Sequence, residues 1–253
     1  MFEYIFVAIP AIFMNNILDN NKQIPKKITP DRIKDSVIEI RYVPKLPFEV
    51  LIGIFFNALD ESYIYSVKPR VHSLSMDANS ALFYNEFIKL QLLPNSFVFN
   101  CMDKYIGWDI YKEEINKVFR QIYSDKYIHQ FTRIGVRYVS EYEGMDLRSC
   151  VNFDFTFGMP DIVSSSYSFQ SEFYYNGMKA ILNLHNNIRI LKEKTEGNSP
   201  FSSLIDIDVI NENFNEISID NLMDKIEVTH LRQKEIFFTV LRDEFLKTLN
   251  PEY

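Results

Sequence analysis

The sequence predicts an α+β protein built largely on antiparallel sheet, with helices packed on one face and a long C-terminal helix. Three observations carry that expectation. Segments of period-2 alternation, rich in β-branched and aromatic residues, mostly follow one another, which argues against a doubly wound parallel sheet. Asn176-Gly177 stands between two such segments and is a strong short hairpin signal. The chain has 253 residues, 47% hydrophobic and 24% charged, enough length and apolar surface to bury a full core.

Taken in order, Ser36–Val43 alternates as a strand, closed by Pro44 and Pro47. Pro47 suits the first turn of a helix reaching about Leu59, apolar nearly all round. Strands are expected near Ser80–Phe87 and Phe87–Cys101, with Pro94-Asn95 as a turn. Asp109 opens an amphipathic helix whose inner side is read as Ile110, Ile115, Val118, Phe119 and Ile122. Thr132–Glu141, Val151–Phe157, Ser166–Asn176, Lys179–Leu191 and Leu204–Asn211 read as strands, with a polar loop from Lys192 to Pro200. The last helix runs from about Ser218 to Leu249, with a break near Val228-Thr229, and Pro251 ends it.

Residues 1–28 read as an apolar extension and linker, and 29–253 as one α+β domain. Residues 1–18 carry Glu3 and no Lys or Arg, unlike a signal peptide, and Pro10 interrupts them, unlike a spanning helix. They are expected to pack on the domain or on a partner, and a membrane role for them stays open. Ile38-Glu39-Ile40-Arg41-Tyr42-Val43 echoes Ile134-Gly135-Val136-Arg137-Tyr138-Val139. The echo fits either two related halves, 29–145 and 146–253, or two similar strands of one sheet.

A net charge of −7 without a dense Lys/Arg block disfavours nucleic acid as a partner. The two cysteines, Cys101 and Cys150, form no CxxC pair and point to a reducing cytoplasm. His72, His129, His185 and His230 show no zinc-site spacing, and the chain lacks Walker, GxGxxG and GxSxG motifs. No cofactor or metal is expected.

Several segments resemble a known family. Ser36–Tyr42, Tyr105-Ile106-Gly107-Trp108, Arg133-Ile134-Gly135-Val136-Arg137-Tyr138 and Leu204-Ile205-Asp206-Ile207-Asp208 occur there in this order, before a terminal helix carrying His230 and Phe237. They resemble an uncharacterised, sporadically distributed prokaryotic family of about 250 residues, over roughly Thr29 to Leu249. The resemblance implies no activity. Patchy occurrence resembles that of mobile accessory genes such as toxin–antitoxin or phage-defence components.

Strand alternation also places the polar residues. Glu39 and Arg41 oppose Ile38, Ile40 and Tyr42; Arg133 and Arg137 oppose Ile134, Val136 and Tyr138. Asp154 opposes the Val151–Phe157 phenylalanines; Asn183, His185 and Asn187 oppose Leu182 and Leu184; Asp206 and Asp208 oppose Ile205, Ile207 and Val209. If these strands share a sheet, one face collects all of these groups. The plain expectation is cross-strand ion pairing, with Arg133 or Arg137 neutralising Asp206 or Asp208. Tyr105, Trp108, Phe237, Phe238 and Leu241 are candidate interface residues, because aromatic anchors and an overfull apolar helix suit a partner.

The function expected is non-catalytic recognition of a protein partner, or of a second copy, as an accessory subunit or antitoxin. One rival is a metal-dependent hydrolase or nuclease working through Asp206, Asp208, Glu39 and Arg137. Another is a small-ligand or nucleotide sensor using the arginine-rich face.

Overall fold

The computed structural model describes residues 23–66, 80–122, 127–153, 166–189, 201–212, 214 and 219–253. Alternating β-branched and aromatic residues make Ile33–Pro44 a long strand, β1. Helix α1 (Phe48–Ala58) follows directly behind Pro47. A short strand β2 (Ile64–Ser66) comes next; three residues are too few for a periodic signal, and the sequence did not announce it. Strands β3 (Ala81–Tyr84), β4 (Ile88–Leu93) and β5 (Ser96–Cys101) form a meander, with Pro94-Asn95 turning β4 into β5. Helix α2 (Trp108–Ile122) and strand β6 (Ile128–Glu143) lie next in the chain.

Strands β7 (Tyr167–Tyr175) and β8 (Met178–Arg189) are joined at Asn176-Gly177, both with positive φ, as a type I′ hairpin requires. Strand β9 (Phe201–Asn211), the 22-residue helix α3 (Ile219–Val240) and α4 (Asp243–Thr248) complete the described elements.

The strands form one sheet in the order β2-β3-β4-β5-β1-β6-β9-β8-β7, and every described pairing is antiparallel. Read outwards from the centre, β1-β5-β4-β3 on one side matches β6-β9-β8-β7 on the other. In chain order β6 opens the second set, which ends with β9. The two echoing segments are sheet neighbours: Ile38 pairs with Val136, Glu39 with Gly135 and Ile40 with Ile134. Glu39 and Gly135 hold the same place in the echo and face each other across the β1–β6 pair.

One core joins Ile38, Ile40, Phe83, Leu90, Phe97, Phe99, Ile134 and Val136 to Leu51 and Phe55 of α1, Tyr111 to Ile122 of α2, and Leu222 to Ile226 of α3. A second joins Ala180, Leu184, Ile205, Ile207 and Val209 to Ile236, Phe238, Phe245 and Leu246. Among the described residues, no helix is long and apolar enough to cross a membrane.

Three expectations need correction. Ile110 is half exposed, and Tyr111 takes its place: Tyr111, Ile115, Val118, Phe119 and Ile122 hold the i, i+4, i+7, i+8, i+11 stripe, and the tyrosine hydroxyl donates to the Phe99 carbonyl at 2.7 Å. The described start of the expected Val151–Phe157 strand, Val151 to Phe153, does not enter the sheet. Val151 bridges Leu241, and the Asn152 amide donates to the Val240 carbonyl at 2.7 Å; residues 154–165 lie outside the described residues. Finally, the last helix breaks at Leu241-Arg242, not at Val228-Thr229. Thr229 is fully buried and its hydroxyl donates to the Lys225 carbonyl at 2.7 Å, keeping the turn helical, whereas the Arg242 amide turns away to the Cys150 carbonyl at 2.8 Å.

Candidate docking face

Residues alternating with the core positions stand on the other side of the sheet, and the pairing register aligns them in rows. One row runs Tyr84, Lys89, Asn100, Val37, Arg137, Asp208, Ile181, Glu172. The next runs Leu82, Gln91, Val98, Glu39, Gly135, Ile210, Lys179, Tyr174. Arg41 faces Arg133 across the β1–β6 pair, and Val139, Asp206 and Asn183 align across β6, β9 and β8. Period-2 geometry therefore brings Glu39, Arg41, Arg133, Arg137, Asp206 and Asp208 together at the sheet centre.

The strongest pair is a bidentate fork. Arg137 Nε donates to Asp206 Oδ1 and Nη2 to Oδ2, both at 2.8 Å, and Asn183 Nδ2 donates to Oδ2 at 3.2 Å. The Asp206 side chain is 8% exposed, so it depends on these donors, while the Arg137 side chain is 48% exposed. Hydrogen bonding to Asp206 holds the Arg137 guanidinium charged. A second pair sits alongside: Arg133 Nη1 lies 3.2 Å from Glu39 Oε2, and Arg41 Nε 3.2 Å from the same oxygen.

Asp208 is different. Burial pushes its pKa up, against the pull of Arg133 and Arg137, and no hydrogen bond or ion pair joins it to another described residue. Arg133 Nε is likewise buried without an acceptor. Between these two side chains lies Gly135. A methyl group added there would sit 3.6 Å from Asp208 Oδ1 and 3.9 Å from both Arg133 Nη2 and Glu39 Cβ. The glycine is itself buried, and Asp208 and Arg133 stand on either side of it without a direct ion pair.

The other candidates fall elsewhere. His185 is on the same face, two residues along β8 from Asn183, with Nδ1 2.9 Å from Ser168 Oγ. Asn187 has left the alternation: the β8–β9 register shifts between His185 and Ile188, its φ is 50°, and its amide donates to Ser203 Oγ at 2.9 Å. Asp154 lies outside the described residues.

The proposed interface residues serve the interior. Phe238 and Leu241 are buried in the second core, and Phe237 packs against it. Tyr105 meets Tyr138 edge to face at 5.4 Å. Trp108 stacks on His230, ring centres 3.7 Å apart, and its Nε1 donates to Glu227 Oε2 at 3.0 Å, where Lys112 Nζ also binds at 2.6 Å. Burial lowers the His230 pKa to about 3. The aromatic surplus that suggested a partner is consumed by the molecule's own helix–sheet contacts.

A depression of about 380 Å³ lies at the edge of the face, where Lys34, Asp35, Lys89, Asn100, Cys101 and Lys104 converge. The three lysines form no ion pair with a described residue, while Asn100 Nδ2 donates to Asp35 Oδ1 at 3.4 Å. Sequence reasoning missed this place, although Lys89 and Asn100 alternate with core residues as Glu39 does. Among the described residues no three His, Cys, Asp or Glu side chains group as a metal site, and Asp206 has both oxygens engaged by Arg137. In comparisons with family models and with curated proteins, nothing matches the chain.

Proposed function

We propose that the protein is a non-catalytic recognition subunit that docks a protein partner on the open face of its sheet. In this reading the helices cover one side only, the long α3 backs the second half, and the other side is left for the partner. The observation that carries it is the central pair of charge clusters, the Arg137–Asp206 fork and the ion pairs of Arg41 and Arg133 with Glu39, bordered by half-buried Val37, Val98, Val139 and Ile181. A fixed, charge-alternating centre within an aliphatic border supplies orientation and specificity to a docked protein. An accessory role in a mobile toxin–antitoxin or phage-defence locus, in a reducing cytoplasm, completes the reading. It is tested by installing Val139→Lys and Val98→Lys on the face: the complex should dissociate while the melting temperature holds.

A sensor of a small anion is the second reading, favoured by the three lysines around the edge depression, none of which forms an ion pair with a described residue. Inorganic phosphate or a nucleoside monophosphate should then raise the melting temperature saturably, since a ligand of the native state alone stabilises it. No rise beyond that given by sodium chloride at equal ionic strength rejects it.

A further inference from the structure

Among the described residues the sheet is open, with β2 at one edge and β7 at the other. An edge strand presents a row of backbone donors and acceptors that another strand can take up, and the two edges differ in what they offer. β2 is three residues long. β7 is nine, Tyr167-Ser168-Phe169-Gln170-Ser171-Glu172-Phe173-Tyr174-Tyr175, and pairs with β8 without a register shift. Proline, lysine and a bulge, the devices that blunt an edge, are all missing from it.

The hairpin fixes which groups face outwards. Tyr175 and Met178 flank its two-residue turn as a hydrogen-bonded pair, and every second residue back along β7 bonds β8 in the same way. Ser168, Gln170, Glu172 and Tyr174 therefore turn their amides and carbonyls away from β8. All four are exposed, Tyr174 by 79%. Tyr167, Phe169, Phe173 and Tyr175, between them, lie half-buried against the second core.

The order of residues selects what such an edge pairs with. About Ser171, β7 reads nearly the same in both directions, with a phenylalanine two places to either side and a tyrosine at each end. A second copy, related by a two-fold axis normal to the sheet, would meet it antiparallel with like faces on the same side. Centred on Ser171, that register uses the whole strand. Phe169 then faces Phe173, and Tyr167 faces Tyr175, at the closely spaced positions where aromatic pairs strengthen a sheet. At the hydrogen-bonded positions Gln170 faces Glu172, so an amide meets the strand's one charged group. Centred on Glu172, the register would instead set two carboxylates against each other. Joining β7 of one copy to β2 of the next would engage three residues and leave an open chain of copies.

We infer that two copies of the chain join edge to edge through β7, antiparallel and two-fold about Ser171, carrying the sheet and its second core across the axis. This goes beyond the docking reading and does not depend on it, since the open faces of both copies stay uncovered on one side.

Sedimentation velocity of the full chain tests it, together with cysteine cross-linking. The wild type should sediment as a dimer of the 30.0 kDa chain. Gln170→Glu sets carboxylates against each other twice in the interface and should weaken association about tenfold. Gln170→Pro removes an outward amide while sparing the bonds to β8, and should give a monomer with an unchanged circular dichroism spectrum. Ser171→Cys faces itself across the axis and should form an intermolecular disulfide on oxidation, beyond any in the wild type. Ser168→Cys faces Tyr174 and should not. A monomeric wild type overturns the inference. So does a dimer that both Gln170 variants leave intact, or one cross-linked through Ser168→Cys and not through Ser171→Cys. If Gln170→Pro does not fold, Gln170→Glu and the two cysteine variants decide. The Val139→Lys test of the docking face is untouched by these results, so the two readings fail separately.

Discussion

Burial between the Trp108 ring and the Tyr138 edge holds His230 neutral, with a folded-state pKa of about 3 against 6.5 for a free histidine side chain. Between those values the unfolded chain binds a proton that the folded chain refuses. Stability contributed at neutral pH is therefore lost as pH falls from 6.5 towards 3, by about 1.4 kcal/mol per unit. Urea unfolding at pH 7 and pH 5 should show this slope in the wild type, and a shallower one in His230→Phe, which keeps the stack. Asp208 has the opposite sign. Its raised pKa means that the folded chain holds the proton more tightly, so ionisation above that value opposes folding. Asp208→Asn should raise the melting temperature at pH 7, and the gain should shrink as pH is lowered through the carboxylate range.

Removing Arg137 strands the buried Asp206 carboxylate with Asn183 alone. Loss of one partner of a fully buried pair costs about 3–5 kcal/mol. Because half the Arg137 side chain is in solvent, Arg137→Ala should cost about 1–2 kcal/mol in chemical denaturation.

Elements answer a different question, namely which segments carry the sheet and which close it. Strand β6 is the longest described and pairs with both β1 and β9, so a better strand former at Gly135 should strengthen the ladder. Gly135→Ala is expected to stabilise by about 0.5–1 kcal/mol. A loss of stability instead would mean that Asp208, Arg133 and Glu39 leave no room for a methyl group there. At the end of α3, Leu241 is fully buried where the chain bridges Val151. Leu241→Ala should cost about 2–5 kcal/mol, the range for a core cavity, and not the near-zero value of an exposed interface leucine.

At the scale of the whole molecule, the polar face was legible because a strand's period leaves no choice: once Ile38, Ile134 and Ile205 are buried, Glu39, Arg133 and Asp206 must share the other side. Strand order was not legible, since neither alternation nor charge says that β1 and β6 are neighbours at the centre. Val151 misled because its alternation was that of a strand, while its amide donates to the Leu147 carbonyl, its bridge partner is Leu241, and the next amide, of Asn152, donates to the Val240 carbonyl. Trp108 and Phe238 misled because a helix that backs a wide sheet can bury more than one stripe.

The central claim is that the open face holds a protein partner. Native mass spectrometry of the tagged chain, purified gently from its own host as wild type and as Val139→Lys, tests it most directly. The account predicts a stoichiometric second polypeptide on the wild type, absent from the variant at an unchanged melting temperature. A partner retained by the variant, or a wild-type chain found alone or only with copies of itself, would contradict it.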